Sequence, residues 1–328
     1  MVRVLSDADV ASVLELEALL PVLAEAFEKQ YAGEVERPER PHYPIGTGID
    51  PDAPTEPTGT GLCMPAYVHG EPYVATKLAT VCPDNPDRGL PTVTAQLAIV
   101  DAETGQPRSY VAGNRITSAR TGCIGGLAAR ELAVEGPLEL GVIGAGTQAR
   151  WQTKAIAAAV GSRLEAIRVY SPSDSKVDCA AELADELGVP ATAVETPREA
   201  VAEASVVVTA TTATEPVFPG EALAEGTLVV AVGAYTPEMR ELDATTVDRA
   251  ATVVADVPEE AAETGDLLEY GDRELVPLGG VLAGAFGRES PDDIVVVASV
   301  GSAVLDAATA AFVYDRAREA ELGTDVPL

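Results

Sequence analysis

The chain has 328 residues and contains 52 Asp and Glu against 22 Lys and Arg, which gives a formal charge of −30. Its length is typical of two domains, and its hydrophobic content of 47% excludes global disorder. The negative charge excludes nucleic acid and anionic membrane surfaces as principal partners, because both would be repelled.

The first third of the chain predicts one helix followed by an antiparallel sheet. Apolar residues recur at helical spacing from Val10 to Gln30, and the stretch Arg37–Gly61, rich in Pro, Gly and Thr, predicts irregular loop. Alternating strand-like runs separated by short turns follow at Leu62–Val68, Pro72–Val81, Thr92–Asp101 and Arg108–Ala112. Sequential strands of this kind favour an antiparallel sheet or a partial barrel.

After Thr117, strand and helix patterns alternate. Short β-branched runs predict strands at Leu138–Ile143, Ile167–Tyr170, Ala191–Val194, Val206–Thr209, Leu228–Val232, Thr252–Ala255 and Ile294–Val300. This alternation is typical of an α/β domain with a parallel sheet covered on both faces. The last predicted helix, Ala303–Glu321, either caps this domain or returns to the first one.

A glycine-rich turn after the first of these strands predicts dinucleotide binding. Its residues are Gly144, Ala145, Gly146, Thr147, Gln148 and Ala149. The first glycine permits a tight turn, the second lets the backbone approach a pyrophosphate, and the small Ala149 lets the helix pack on the strand. The helix N-terminus offers free N–H groups to the phosphates. The alternative is an ordinary glycine-rich turn.

The end of the second strand bears on which dinucleotide binds. An acidic residue there holds the ribose of NAD. This chain instead has Ser171, followed by Ser173 and Lys176. Because hydroxyls and an ammonium group accept a 2′-phosphate, the sequence weakly favours NADP over NAD.

Two cations and a tyrosine stand out from their surroundings. Lys77 falls on the more apolar face of its strand, so it needs an anionic partner or loses its charge. It either binds or protonates a substrate, or it is a salt-bridged or edge lysine. Arg120 is predicted in the cap and first turn of a helix, where a cation implies a bound carboxylate or phosphate unless it is simply solvated. Tyr235 follows a strand at the ligand-binding edge of the sheet, or only packs there.

Cysteine usage and the N-terminal segment point to the cytoplasm. The four cysteines form no C-x-x-C motif, and only His42 and His69 are available to join them. Neither a disulfide scaffold nor a metal site is therefore expected, and neither histidine is given a role. The N-terminus lacks the apolar core of a signal peptide, and no apolar run reaches about 18 residues. We expect a soluble protein with no membrane partner.

Ordered motifs over most of the chain resemble the ornithine cyclodeaminase/mu-crystallin family, which also includes an archaeal type of alanine dehydrogenase and several ketimine reductases. The motifs are Met64-Pro65-Ala66-Tyr67, Thr76-Lys77-Leu78, Gly89-Leu90-Pro91-Thr92, Asp101 with Thr104-Gly105, Ile116-Thr117 with Arg120-Thr121, the Gly144–Ala149 turn, Thr211 with Thr214-Glu215-Pro216, Arg240-Glu241-Leu242-Asp243, Gly265-Asp266, and Val300-Gly301 with Asp306.

The resemblance implies a homodimer with two domains per chain. Residues 1–117 and 304–328 would form the substrate-binding and dimerisation domain, and residues 118–303 a Rossmann dinucleotide-binding domain. Arg40, Lys77 and Arg120 would hold the α-carboxylate of a small α-imino or α-amino acid, and Lys77 would also handle a proton. Further cofactor contacts would come from Thr92, Thr121, Thr211, Val232, Gly233, Ala234 and Gly301.

Tyr235 separates the branches of this family. The cyclodeaminases and archaeal alanine dehydrogenases that the chain resembles carry an aspartate at this place, and a tyrosine cannot replace a carboxylate base near pH 7 without a large pKa shift. The tyrosine version is more similar to mu-crystallin and to the Δ1-pyrroline-2-carboxylate reductases. The chain is therefore predicted to be an NAD(P)H-dependent ketimine reductase. Ornithine cyclodeaminase, alanine dehydrogenase and a non-catalytic NADP-binding protein stay open as alternatives.

The acidic excess also predicts adaptation to high salt. The chain has only four lysines, Lys29, Lys77, Lys154 and Lys176. Because concentrated salt screens the repulsion among carboxylates, we expect thermal unfolding to occur at a higher temperature in molar KCl than in dilute buffer. Circular dichroism would measure both transitions, and greater stability in dilute buffer would contradict the hypothesis.

Overall fold

Two open β-sheets organise the chain in the computed structural model, which describes residues 1–327. The strands in chain order are β1 (Val2–Leu5), β2 (Val35–Glu36), β3 (His42–Ile45), β4 (Gly59–Val68), β5 (Tyr73–Val81), β6 (Val93–Asp101), β7 (Pro107–Ala112), β8 (Leu138–Ile143), β9 (Leu164–Tyr170), β10 (Ala191–Ala193), β11 (Val206–Thr209), β12 (Leu228–Ala231), β13 (Ala250–Ala255), β14 (Val276–Pro277), β15 (Ile294–Ala298) and β16 (Thr324–Val326). The helices are α1 (Asp7–Val13), α2 (Leu16–Tyr31), α3 (Asn114–Leu132), α4 (Thr147–Val160), α5 (Ser175–Leu187), α6 (Pro197–Val201), α7 (Ala244–Arg249), α8 (Pro258–Ala261), α9 (Leu278–Leu282) and α10 (Ala303–Glu319). The predicted α/β fold class is confirmed.

The first compact unit contains Met1–Glu15, Ala32–Arg120 and the chain from Ala303 onward. Its sheet has the order β16-β1-β7-β6-β5-β4-β2, with β3 also paired to β4, and it is antiparallel except for the parallel pair β1 and β7. Residues alternate between a buried face, which α10 covers at β4 and β5, and an outer face. The predicted antiparallel sheet is confirmed, and the sheet is open and does not close into a barrel.

Two predictions for this region are wrong in detail. The predicted helix Val10–Gln30 is two helices, because Leu14 adopts an extended conformation that ends α1, and neither glycine nor proline announces this break. The predicted loop Arg37–Gly61 contains β3, which includes Pro44. A proline is tolerated there because β3 pairs with β4 alone and is an edge strand.

The second compact unit contains Leu16–Tyr31 and Thr121–Ser302. Its sheet is entirely parallel and has the order β10-β9-β8-β11-β12-β15-β13-β14. The first five strands in this order follow the 3-2-1-4-5 arrangement of dinucleotide-binding domains, and the sixth place is taken by β15, the last strand of the unit in chain order. The core consists of apolar side chains from these strands and from the segments packed on them, including Val207, Val229 and Val296.

The helix α2 belongs to the second unit, whereas the sequence places it within the predicted domain 1–117. It packs on α4 and α9, and the contact with α9 is close because a Cβ on Gly279 would lie 2.2 Å from the carbonyl oxygen of Phe27. The domain bounds taken from the sequence stay predictions, and the compact units differ from them at this helix.

Candidate active site

A buried cluster of charges lies at the centre of the first unit. Lys77 on β5 extends from the covered face of the sheet, Arg120 lies on α3, and Asp306 lies in the first turn of α10. Lys77 Nζ is 2.6 Å from Asp306 Oδ2, and Arg120 Nε is 2.9 Å from Asp306 Oδ1. These residues are only 2%, 6% and 1% exposed, so one buried carboxylate is shared by two cations.

The cluster carries an excess positive charge. Two cations and one carboxylate sum to +1, and the charge of Arg40 also acts on Lys77. Burial is the largest cause that lowers the pKa of Lys77, and it brings that pKa to about 8 although Asp306 opposes the change. Burial alone would raise the pKa of Asp306, but the charges of Arg120 and Lys77 outweigh it and hold that pKa below its usual range. The cluster is thus suited to receive one more anion.

Arg120 does not occupy the position that the sequence predicts. Because α3 begins at Asn114, Arg120 lies about two turns into the helix and not at its N-terminus. Its anionic partner is the side chain of Asp306, and not an anion bound at a helix N-terminus. One turn before Arg120, the buried hydroxyl oxygen of Thr117 has no hydrogen-bond partner among residues 1–327. A polar ligand would satisfy such a group.

Asp306 is the functional residue that sequence reasoning left without a role. It appears in the sequence only as part of a family motif. A physical signal was available, because it is the one charged residue in the segment Ala303–Val313. A lone carboxylate in an apolar helix needs a buried partner, as a lone lysine on an apolar strand face does.

The glycine-rich turn lies in the second unit, between β8 and α4. Gly144 has φ +114°, and a Cβ there would lie 2.5 Å from the carbonyl oxygen of Ala210, so this position requires glycine. A Cβ on Gly146 would meet no atom within 4 Å, so packing within this chain does not require that glycine. The space beside Gly146 is what a closely approaching phosphate needs.

The N-terminus of α4 fits a dinucleotide in two further respects. Gly146 is its N-cap and supplies no side-chain hydrogen bond, which leaves N–H groups of the first turn for a ligand. The buried Oε1 atom of Gln148 has no hydrogen-bond partner within the described chain. Arg150 braces the turn by donating to the carbonyl of Ala145, while Thr147 opens the helix and Ala149 is fully buried. The residues present therefore fit the pyrophosphate of a dinucleotide.

The predicted 2′-phosphate site follows β9. The hydroxyl oxygens of Ser171 and Ser173 are 3.3 Å apart, and those of Ser173 and Ser175 are 2.6 Å apart. Lys176 is largely buried and donates to Glu195 at 3.0 Å. Glu195 is a partner that the sequence analysis missed, and its carboxylate offsets the cation that would favour a 2′-phosphate.

The other predicted cofactor residues follow the same edge of the parallel sheet. Because parallel strands end on one side, the loops after β8, β9, β11, β12 and β15 share that edge. Thr211 follows β11, the buried residues Val232, Gly233 and Ala234 follow β12, and Gly301 follows β15. Tyr235 comes next and is 47% exposed. Thr121 on α3 also belongs to this unit, and its carbonyl accepts a hydrogen bond from Gln152 at 2.7 Å.

Thr92 completes the predicted set of cofactor residues, whereas the histidines are given no role. Thr92 lies in the first unit immediately before β6, where its carbonyl accepts a hydrogen bond from the amide of Cys82 at 2.8 Å. His69 Nε2 lies 3.0 Å from Glu36 Oε1 at the surface.

The cysteines are free thiols, and residues 1–327 contain no cluster of three or more His, Cys, Asp or Glu placed to hold a metal ion. The helices of this part of the chain are too short or too polar to span a bilayer.

Comparison with known proteins identifies the scaffold that carries both groups of residues. The family model described as "Ornithine cyclodeaminase/mu-crystallin family" matches residues 2–321. The chain belongs to the ornithine cyclodeaminase/mu-crystallin family. The membership predicted from the sequence is confirmed.

Relatives within the ornithine cyclodeaminase/mu-crystallin family carry the names that the sequence analysis anticipates. A Δ1-pyrroline-2-carboxylate/Δ1-piperideine-2-carboxylate reductase of Azospirillum brasilense is 35% identical over 94% of this chain and 93% of its own. The structure of the Thermococcus litoralis Δ1-pyrroline-2-carboxylate reductase in complex with NADH and L-proline matches with a TM-score of 0.91 and 31% identity, over 99% of this chain and 100% of the other. An archaeal alanine dehydrogenase dimer with bound NAD matches with a TM-score of 0.89 and 29% identity, over 99% of both chains.

The two glycines of the turn give a prediction that separates ligand binding from folding. Gly146→Ala should leave the unfolding temperature unchanged, because the added Cβ meets no protein atom within 4 Å. It should weaken NADH binding on the order of tenfold, because it fills space that the pyrophosphate needs. Fluorescence titration with NADH and thermal unfolding measure the two effects.

Gly144→Ala is the contrasting variant. It should lower the unfolding temperature, because its φ is +114° and the added Cβ would lie 2.5 Å from a backbone oxygen. Unchanged NADH affinity in Gly146→Ala would contradict the assignment of the turn.

Proposed function

We propose that this protein is an NAD(P)H-dependent reductase of small cyclic α-imino acids, with Δ1-pyrroline-2-carboxylate as the substrate that fits best. The observation that carries the proposal is the buried cluster in which Lys77 and Arg120 share Asp306 and leave a positive charge. In a chain with a formal charge of −30, such a cluster is a specific site for one small anion.

The substrate α-carboxylate supplies the anion that the cluster can receive. Arg120 has further donors in its guanidinium fork and binds carboxylates with defined geometry. Lys77 and Arg40 add charge to the same place, as their electrostatic coupling indicates. The Thr117 hydroxyl offers an additional donor or acceptor to the ligand. Holding the carboxylate at these groups fixes the orientation of the adjacent C=N bond.

Lys77 also has the protonation behaviour that imine reduction needs. Its pKa of about 8 lets the ammonium group give up a proton near neutral pH. A proton on the imine nitrogen makes the adjacent carbon a better hydride acceptor. The reduced nicotinamide, when bound, supplies that hydride.

Tyr235 argues against the reactions that begin from an amine. The segment after β12 reads Gly233-Ala234-Tyr235, with a phenol at the place where the cyclodeaminases and alanine dehydrogenases of the resemblance have a carboxylate. Burial raises the pKa of the Tyr235 phenol, so it is not a base that removes a proton from an amine at neutral pH. Reduction of a preformed imine has no such requirement.

The choice between NADH and NADPH depends on the residues after β9. Ser171, Ser173 and Lys176 favour a 2′-phosphate, but Glu195 pairs with Lys176 at 3.0 Å. The related Thermococcus litoralis structure holds NADH. The proposal therefore includes both dinucleotides, and we retain the weak preference for NADPH.

Replacing Lys77 tests the substrate site. Lys77→Met should reduce kcat/KM for Δ1-pyrroline-2-carboxylate roughly 10²- to 10⁴-fold, the contribution of a positioned proton donor. Arg120 continues to pair with Asp306 in this variant, so folding should persist. The loss of NADH or NADPH absorbance over time measures the rate with each dinucleotide.

Lys29→Met is the matched control, because Lys29 is a half-buried lysine that pairs with Glu25 on α2 and is not part of the charge cluster, so turnover should be unchanged. The wild-type kcat/KM should fall as pH rises through about 8, because the ammonium form of Lys77 carries both the charge and the proton.

Undiminished reduction by Lys77→Met would refute the role of Lys77 in binding and protonating the substrate. Ammonia release from ornithine without added reductant would favour cyclodeamination, and NADH loss with pyruvate plus ammonium would favour alanine dehydrogenase.

We further propose that the protein is a homodimer in which two copies of the chain associate through the outer face of the first sheet. Val4, Leu78, Gln96 and Tyr110 lie on this face, and all four are exposed and uncharged. A largely uncharged sheet face is unusual on so acidic a chain and is typical of an interface. The related archaeal alanine dehydrogenase is described as a dimer.

The oligomeric state can be changed by one charge on this face. Leu78→Glu should halve the particle mass to that of the 33.8 kDa chain, because a buried unpaired carboxylate opposes association. Analytical ultracentrifugation measures the mass. Val177→Glu, at a side chain on α5 that is also exposed, should leave the dimer intact. A dimeric Leu78→Glu protein would contradict this choice of face.

A further inference from the structure

A fully buried carboxylate in the second unit joins two of the loops that the sequence assigns to cofactor binding. Glu241 Oε2 accepts hydrogen bonds from the Thr209 hydroxyl at 2.7 Å and the Gly233 amide at 2.8 Å. Its Oε1 accepts from the Thr211 amide at 2.6 Å. Glu241 itself is 0% exposed. Its side chain is therefore sequestered in the fold and does not contact solvent.

These donors come from the ends of adjacent strands. Thr209 ends β11 and Thr211 follows it, whereas Gly233 follows β12, and β11 and β12 are paired in parallel. A Cβ on Gly233 would lie 2.4 Å from Glu241 Oε1, so the carboxylate packs directly against the backbone of this loop. One side chain thus bonds to both loops.

The loops lie in the half of the sheet that takes the nicotinamide end of a dinucleotide. The glycine-rich turn and the ribose-binding segment follow β8 and β9, the first two strands of the dinucleotide fold. Strands β11 and β12 are its fourth and fifth strands, in the second mononucleotide-binding half. Glu241 therefore acts on the half opposite to the adenosine.

Glu241 is held in place from the other side. Its own amide donates to Asp266 Oδ1 at 2.7 Å, and the Leu242 amide donates to the same oxygen at 2.8 Å. Asp266 is 4% exposed, and Arg240 contributes a positive charge near it while donating to the Gly265 carbonyl. All three partners of the Glu241 side chain are donors, and an ionised carboxylate, which has only acceptors, accepts all three bonds.

We propose that Glu241 is a positioning residue for the bound nicotinamide, and that its ionised carboxylate holds the Thr211 and Gly233 loops at the spacing that the nicotinamide half of the cofactor requires. This inference rests on the proposed nicotinamide-dependent function. It does not depend on which imino acid is reduced. Burial raises the pKa of Glu241 to about 6, against the hydrogen bonds from Thr209 and Thr211, and the charge of Asp266 adds to the increase.

The pKa gives the inference a pH signature. Below about pH 6 the carboxyl group is protonated and one of its oxygens becomes a donor that faces donors. One of the three bonds is then lost and the loops relax. Cofactor binding should weaken as pH falls through this range.

Glu241→Gln tests the role in the full-length protein, with NADH itself as the probe. The amide nitrogen cannot accept a hydrogen bond, so the variant should bind NADH on the order of tenfold more weakly at neutral pH by fluorescence titration. The affinity for ADP-ribose, which lacks the nicotinamide, should be the same in the variant and the wild type when it is measured by calorimetry. The wild-type dissociation constant for NADH should rise below about pH 6, and that of Glu241→Gln should not.

Two further variants keep the test decisive. Glu238→Gln, at an exposed carboxylate three residues earlier, should match the wild type in NADH affinity. Thr209→Val removes only the hydroxyl donor, so it should weaken NADH binding less than Glu241→Gln and retain the pH dependence, even if Glu241→Gln folds poorly.

Equal losses of NADH and ADP-ribose affinity in Glu241→Gln would overturn the inference in favour of a general structural role. Unchanged NADH affinity with unchanged pH dependence would overturn it as well. Because these titrations need no imino acid, a failure of the Lys77 experiment would leave them interpretable.

Discussion

The shared carboxylate of Asp306 is the interaction on which the first unit depends. Lys77 and Arg120 are nearly inaccessible to solvent, and two cations at such depth would repel each other without an anion between them. Removing one partner of a buried ion pair typically costs about 3–5 kcal/mol of folding stability, because the other charge is left buried without a partner. The cluster has a net positive charge in a molecule with a formal charge of −30.

The second unit uses buried carboxylates in a different way. Glu241 accepts donors from the loops after β11 and β12, and Asp256 accepts from the Ser299 hydroxyl and the Gly301 amide after β15. Both lie at the carboxyl edge of the parallel sheet, where loops have few neighbours of their own to hold them. In the first unit a carboxylate holds two cations together, and in the second unit carboxylates hold backbone loops.

The proposed division of roles is compatible with several reactions on one family scaffold. The relatives named for imino acid reduction and for alanine dehydrogenation share the overall fold of this chain. A carboxylate-binding cluster and a nicotinamide dinucleotide serve any oxidoreductase that acts beside an α-carboxylate. The reaction can then be selected by a residue such as Tyr235, which lies on a loop after β12 and is not part of the core.

Local patterns in the sequence determined most strands of both sheets, the glycine turn and the unusual position of Lys77, because strand alternation and glycine geometry depend on neighbours within a few residues. The short strands β1, β2, β3, β14 and β16 were not predicted, because two to four residues carry too little alternation. The sequence pattern also singled out Arg120, and the family resemblance added Arg40 to the predicted carboxylate-binding set. Tertiary structure alone decided that Asp306 reaches Lys77 across 229 residues, that Glu195 pairs with Lys176, and that α2 packs in the second unit. It also moved Arg120 from a helix terminus to a helix interior, where a side chain is its counter-ion. The reason is that a buried charge specifies only that it must have a partner, whereas the topology of the chain specifies which one.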